Sequence, residues 1–308
     1  MRRASGTILT RKGERGVRSP PGVKAGRAVL ARSRGALARA FLVALTIVTP
    51  SLMLGGGTPE VTDAVLFIAL FAAAYVFVEY VAVYPCLIEF RDAPPFNRVR
   101  FAMLFLTLVL MAYAIGGIDA PTPLTRLVQA IGLLLGTSMD FPLSPVRLLM
   151  WLLPEGTTPG EARMVRGAAG IAYIVCLVGL TVFAIMIRLN NWPSPNGRFN
   201  VWINLPTFDP TAGGDVVKRL NRDGSINIWL GILVPYLSPP LAIYVGRAYG
   251  VSMMDSELLL VWTISLWAFL PATLFLRGIA MRRLALMISL KRRHYEAIAA
   301  EDPDFLPA

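Results

Sequence analysis

Seven apolar stretches separated by short polar or Pro/Gly-rich turns run along the chain, and their lengths predict helices that cross a bilayer. The first runs from about Ala40 to Leu54 and stops at Gly55-Gly56-Gly57-Thr58-Pro59, a turn that sends the chain straight back. The second, Val61 to Ile88, is long enough to span with tilt and is stopped by Arg91-Asp92-Ala93-Pro94-Pro95. The third, Phe101 to Ile115, ends in Gly116-Gly117. Leu127 to Met139 gives only 13 uncharged residues before Asp140, and Pro142, Pro145 and Arg147 interrupt the next apolar piece, which ends at Leu153. A short re-entrant or interfacial hairpin is therefore expected over 127–153. Thr158-Pro159-Gly160-Glu161 is a capping box with proline at the first helical position, opening a helix that carries Ala168 to Ile187 across.

The one sizeable extramembrane segment is 190–227. Phe199 to Leu205 and Ser225 to Trp229 alternate like strands around a helical turn at Asp215 to Leu220, so a small β-α-β-like cap is expected. Asn221 to Ile226 has the polar spacing of a calcium loop, but Arg219 and Leu230 occupy its end positions, so a turn is expected instead. Ile228 to Val245 carries Pro235, Pro239 and Pro240, which predicts a broken spanning helix. Leu258 to Leu276 is the last span. After it, basic residues from Arg277 to Arg293 alternate with Leu284, Leu286, Met287, Ile288 and Leu290, predicting an amphipathic helix in the membrane interface.

Composition agrees with the pattern. Of 308 residues, 55% are hydrophobic and 16% charged, with mean hydropathy +0.59, whereas soluble domains carry roughly 25% charged residues. Cys86 and Cys176 lie in separate apolar segments and read as small hydrophobes. Charge changes the picture at the ends. Residues 1–40 hold Arg2, Arg3, Arg11, Lys12, Arg15, Arg18, Lys24, Arg27, Arg32, Arg34 and Arg39 against Glu14 alone, nearly all of the formal +11. A disordered basic arm over 1–39 is expected, too long and charged for the leading part of a cleaved signal peptide. Without interleaved aromatics it does not suggest nucleic acid; the partners expected are the lipid bilayer, anionic headgroups met by the arm and by the C-terminal helix, and other membrane subunits.

The positive-inside rule places both termini in the cytoplasm, most simply at a bacterial cytoplasmic (inner) membrane. An even number of crossings is then required. The reading is an all-α polytopic membrane protein: a basic arm over 1–39, a membrane domain over 40–276 of about six transmembrane helices with the short hairpin, and an amphipathic C-terminal helix and tail over 277–308. Six spans leave 190–227 on the cytoplasmic side. If 228–245 were the re-entrant piece, the cap would lie outside.

Candidate chemistry is sparse. The one histidine, His294, lies in the basic tail, so no metal centre and no cofactor is expected. Glu79 stands out. Read as lying nine residues from its helix end, it would sit roughly 13 Å below that end, at a cost of about 2.5–3.5 kcal/mol unless it finds a partner. Tyr75, one turn earlier, shares its face, and Pro239 marks the broken helix. Glu79, Tyr75 and Pro239 are the candidate substrate or proton-binding residues, with helix packing as the plainer role of the glutamate. Glu89, at the end of the same apolar run, reads as an interfacial anchor. No catalytic motif is present and no internal repeat is visible, so an accessory, assembly or scaffold component of a membrane complex is the expected function. A transporter or channel built on Glu79 and the proline-rich helix is the alternative, and an enzyme acting on a lipid-type substrate the third.

Overall fold

The computed structural model describes residues 21–55, 57–116, 121–151, 153–189, 192–193, 199–209, 211 and 213–301, with backbone alone for 21–31. Among them are nine α-helices and no strand: α1 (Pro21–Leu54), α2 (Pro59–Val81), α3 (Phe96–Ile115), α4 (Pro123–Met139), α5 (Pro145–Trp151), α6 (Pro159–Leu189), α7 (Val201–Asn204), α8 (Val216–Tyr249) and α9 (Glu257–Glu301). Six of these, α1, α2, α3, α6, α8 and α9, are long and apolar enough to cross a membrane. The fold is an all-α polytopic bundle. Helices α4 and α5 form the expected short hairpin, whose Asp140 meets Arg147 of α5 and, at 3.3 Å, Arg166 of α6.

Helix ends follow local chemistry. Thr158 and Glu161 complete the capping box reciprocally, Thr158 N–H donating to the Glu161 carboxylate at 2.8 Å and Glu161 N–H to Thr158 Oγ1 at 3.2 Å. Thr58 and Thr122 cap α2 and α4, each followed by proline at the first helical position.

Helices α3, α6 and α9 share the centre, burying Leu108 and Met111, Ala168, Ala172 and Phe183, and Ile264 and Leu276 respectively. Helix α4 docks on α6 where glycines let backbones meet: a Cβ on Gly136 would stand 2.5 Å from the Arg166 carbonyl. Helix α8 lies along α9, and a Cβ on Gly278 would stand 2.7 Å from the Gly224 carbonyl. Among the described residues, α2 packs against no helix other than α1.

Four expectations are corrected. Residues 21–39 of the basic arm belong to α1, because alanine, leucine and arginine favour helix and the apolar segment downstream supplies a nucleus. Residues 1–20 lie outside the described residues. The β-α-β-like cap is absent from the described residues of 199–229: Val201–Asn204 is one helical turn capped by the Asn200 side chain, and Asn221 to Ile226 is neither a turn nor a loop but part of α8. Leu220, Gly224, Asn227 and Gly231 are buried along one face of α8, and this stripe of small and apolar residues against α9 keeps the helix going through turn-forming residue types. The prolines do not break α8, which runs unbroken to Tyr249. Nor does a separate helix begin at Arg277. Helix α9 continues for 45 residues, about 67 Å at helical rise, with Ala280, Met281, Leu284 and Ala285 buried. Its far portion is tied back by Arg292, which donates to Asp215 Oδ1 at 2.8 Å. That bond, with the N–H of Val217, holds the Asp215 carboxyl below its ordinary range, so the contact persists through that range and is lost only as pH falls through the lowered value.

Sidedness is set by contacts between connections. The α2–α3 connection is hydrogen-bonded to Trp192 and to Asn204, and Arg39 of α1 stacks over the Tyr80 ring, 4.6 Å from its centroid. Both loops, the middle of α1 around Arg39 and α9 around Arg292 therefore share one face, here the hub face. The described residues 199–209 thus lie on the same face as the α2–α3 connection. In a Cys86→Ala chain, with buried Cys176 left in place, Pro94→Cys and Gly213→Cys are expected to label from the same side of sealed vesicles and Glu155→Cys from the other. Labelling of Pro94→Cys and Gly213→Cys from opposite sides contradicts the arrangement.

Candidate functional site

The polar groups of the hub face are gathered by a proline. Pro85 has no N–H to give, and its ring would clash with the Val81 carbonyl, so α2 ends at Val81 and not at Ile88. Glu79 is thereby moved from mid-helix to the last turn, and the depth inferred from a longer helix is corrected. A carboxylate there opposes the helix dipole. It is stabilised by the next stretch of chain: Cys86, Leu87 and Ile88 each donate a backbone N–H to it at 3.1 Å. Arg91 completes the turn from the other side, donating to the carbonyls of Glu79 (2.9 Å), Ala82 (2.6 Å) and Val83 (3.4 Å) that the helix end leaves open.

Residues 89–91 point three ways. Phe90 is buried against Phe96 and Trp192, with ring centroids 4.6 and 5.3 Å away, and its N–H reaches the Asn204 carbonyl at 2.6 Å. Its φ of 51° lies in the left-handed region, which is costly for an aromatic residue and held here by that surrounding packing. Glu89 takes Arg277 of α9 in a two-pronged ion pair, Nε to Oε2 at 2.7 Å and Nη2 to Oε1 at 2.8 Å, and accepts from Thr207 Oγ1 at 2.6 Å. Arg277 also donates to Asn227 Oδ1 of α8 at 3.2 Å. The burial of Glu89 with a partner on another helix corrects its reading as an interfacial anchor. Further bonds tie the loops, with Asp92 N–H donating to Asn204 Oδ1 at 3.0 Å and Trp192 Nε1 to the Ala93 carbonyl at 3.1 Å.

No family model matches the chain, and neither does any curated protein or solved structure.

The geometry thus speaks alone. Pro239 is set apart from the other two, since α2 and α8 share no contact, while Tyr75 lies one turn from Glu79 and within its electrostatic reach but makes no hydrogen bond to it among the described residues. Among the described residues no group of three or more His, Cys, Asp or Glu side chains is placed to hold a metal ion. The arrangement around Glu79 and Glu89 fastens loops and helix ends, since N–H and guanidinium donors occupy both carboxylates. Arg277, Arg91, Asn204 and Asn227 have no sequence signal that would single them out. Each is a polar residue at a segment edge whose partner lies far along the chain or on backbone carbonyls that only the fold exposes.

Pro239 has a defined local effect. In an unbroken helix the Pro235 carbonyl would accept from the N–H of residue 239, which proline lacks, and the Trp267 indole of α9 donates to that carbonyl at 3.0 Å instead. Trp267→Phe is therefore expected to cost about 1–2 kcal/mol in the Pro239 background. With Pro239→Ala the helix supplies its own donor, and the same change should cost much less. Melting of the four chains in mild detergent measures the difference, and equal costs in both backgrounds contradict it.

Proposed function

We propose that this protein is an accessory, assembly or scaffold component of a membrane complex, in a bacterial cytoplasmic membrane with both termini on the cytoplasmic side. The observation that carries the reading is the commitment of the Glu79 carboxylate to three successive backbone N–H groups, which leaves it holding a loop. The transport alternative drew on Glu79 together with Pro239, and these sit on helices that do not touch. Two helices offer broad apolar faces. Helix α2 exposes Leu66, Phe67, Leu70 and Phe71, and α8 exposes Trp229, Leu233, Leu237 and Leu241, faces suited to lipid or to the helices of another membrane subunit. The basic arm and the C-terminal part of α9, with Arg282, Arg283, Lys291, Arg292 and Arg293, suit the anionic inner leaflet and set the orientation.

The test joins stability to partner recovery. Tagged full-length chain extracted in mild detergent is expected to bring down a stoichiometric membrane partner. Glu79→Gln turns an amide NH₂ toward N–H donors, so it should lower the melting temperature by the equivalent of about 1–3 kcal/mol and weaken partner recovery with it. A Glu79→Gln chain of wild-type stability that loses a solute or proton flux catalysed by the wild type in liposomes supports transport and contradicts the scaffold reading.

A further inference from the structure

Behind the α1–α2 hairpin an elongated groove of about 610 Å³ runs between α1, α2, α3 and α9. Its walls are Val43 and Ile47, Val65 and Ile68, Leu104, and Trp262, and its volume falls within the roughly 300–1,000 Å³ of small-molecule sites. Leu258 lies in the first turn of α9, at the face opposite the hub, and Arg100 in the second turn of α3, at the hub face. The groove therefore follows the depth of the membrane, apolar along its length and cationic at one end.

Arg100 is the charged group that lines the groove at the hub face. Its Nε is fully buried without a hydrogen-bond partner, and among the described residues the guanidinium makes no hydrogen bond or ion pair. It rests over the Phe96 ring at 5.5 Å. Glu89 is the acid that acts on it, but both Glu89 oxygens are taken by Arg277 and Thr207. Arg91 is spent on loop carbonyls and Glu79 on loop N–H groups, so neither offsets the Arg100 charge by a direct bond. Arg39 adds further positive charge beside Tyr80, a ring that also feels Arg100. A half-buried guanidinium whose Nε is closed off and unbonded has donors open to an acceptor, and a bidentate phosphate meets that geometry.

We propose that this groove is a binding site for an anionic membrane phospholipid, its phosphate held by Arg100 and one acyl chain lying along Leu104, Ile47, Ile68 and Trp262. The chemistry selects the ligand class. An apolar trough opening into the bilayer accepts a hydrocarbon chain, and the uncompensated cation selects a headgroup with net negative charge over a zwitterionic one, whose own ammonium would sit beside Arg100. The inference stands apart from the scaffold reading, since a structural lipid suits a scaffold, a transporter or an enzyme equally.

The test uses the full-length chain purified in a neutral detergent and titrated with dioleoyl phosphatidylglycerol or dioleoyl phosphatidylcholine, with bound lipid read by native mass spectrometry and melting temperature followed in parallel. Wild type and Arg100→Lys are expected to retain phosphatidylglycerol and gain melting temperature, with phosphatidylcholine held at least about tenfold more weakly because its ammonium is repelled by the cation that holds the phosphate. Arg100→Gln should lose that preference. Val65→Trp, which fills the groove without touching the charge, should lower retention of both lipids. Arg98→Gln, a neighbour outside the groove, should change neither. Equal retention of the two lipids by wild type, or the same loss in Arg98→Gln as in Arg100→Gln, overturns the proposal. If Arg100→Gln does not fold, undiminished phosphatidylglycerol binding by Val65→Trp overturns it equally.

Discussion

Glu89 and Arg277 stand 188 residues apart in the chain and meet in a two-pronged ion pair at the hub face, and the rest of the architecture is arranged around that meeting. Charge near a bilayer must be paired, solvated or carried to the interface. Here the pairing joins the α2–α3 connection to α9, and Thr207 and Asn227 bring in the segment before α8 and α8 itself. One part-buried contact thus fastens four parts of the fold that share no local sequence. The glutamate side chain is 10% exposed and the arginine 32%, so the pair is shielded from solvent far better than a surface bridge. Removing Arg277 leaves the Glu89 carboxylate, the less exposed partner, as a charge with little access to water.

Around this pair each backbone interruption is met by a side chain. Pro85 ends α2, and the open carbonyls there go to Arg91 while the loop N–H groups go to Glu79. Pro239 deprives the Pro235 carbonyl of its donor, and Trp267 supplies one. Non-helical or interrupted backbone is tolerated at membrane depth only where such substitutes exist. Two of the three candidate residues, Glu79 and Pro239, are therefore placed by the same physical demand: polar backbone groups must find partners where water does not reach. Arg100 of α3 and Arg283 of α9 each keep a buried Nε that this demand leaves unmet.

Much of the bundle is legible in the sequence because membrane spans are written as uninterrupted apolar length. The six spans, the short hairpin that turns between Asp140 and Pro145, and the Thr158–Glu161 capping box all rest on contiguous residues. Sequence and structure part where tertiary contact overrides local preference. Asn221 to Ser225 carries turn-forming residue types yet continues α8, because Leu220, Gly224, Asn227 and Gly231 together form a face narrow enough for α9 to approach. Val61 to Ile88 reads as one helix because Pro85 is a single residue inside a long apolar run, and its consequence for Glu79 emerges only when the N–H groups beyond it are seen turning back. The Glu89–Arg277 pair has no sequence signal at all, since a charge at a segment edge reads as an anchor until its distant partner is known.

If Glu89 and Arg277 act as one unit in holding the hub face together, a double-mutant cycle of Glu89→Gln and Arg277→Gln, followed by melting of the full chain in mild detergent, measures that unity directly. The expected result is that each single change is strongly destabilising and that the pair shows a coupling energy of about 1–3 kcal/mol, the double mutant losing much less than the two single losses combined. Additive losses, with coupling below about 0.5 kcal/mol, would contradict the account.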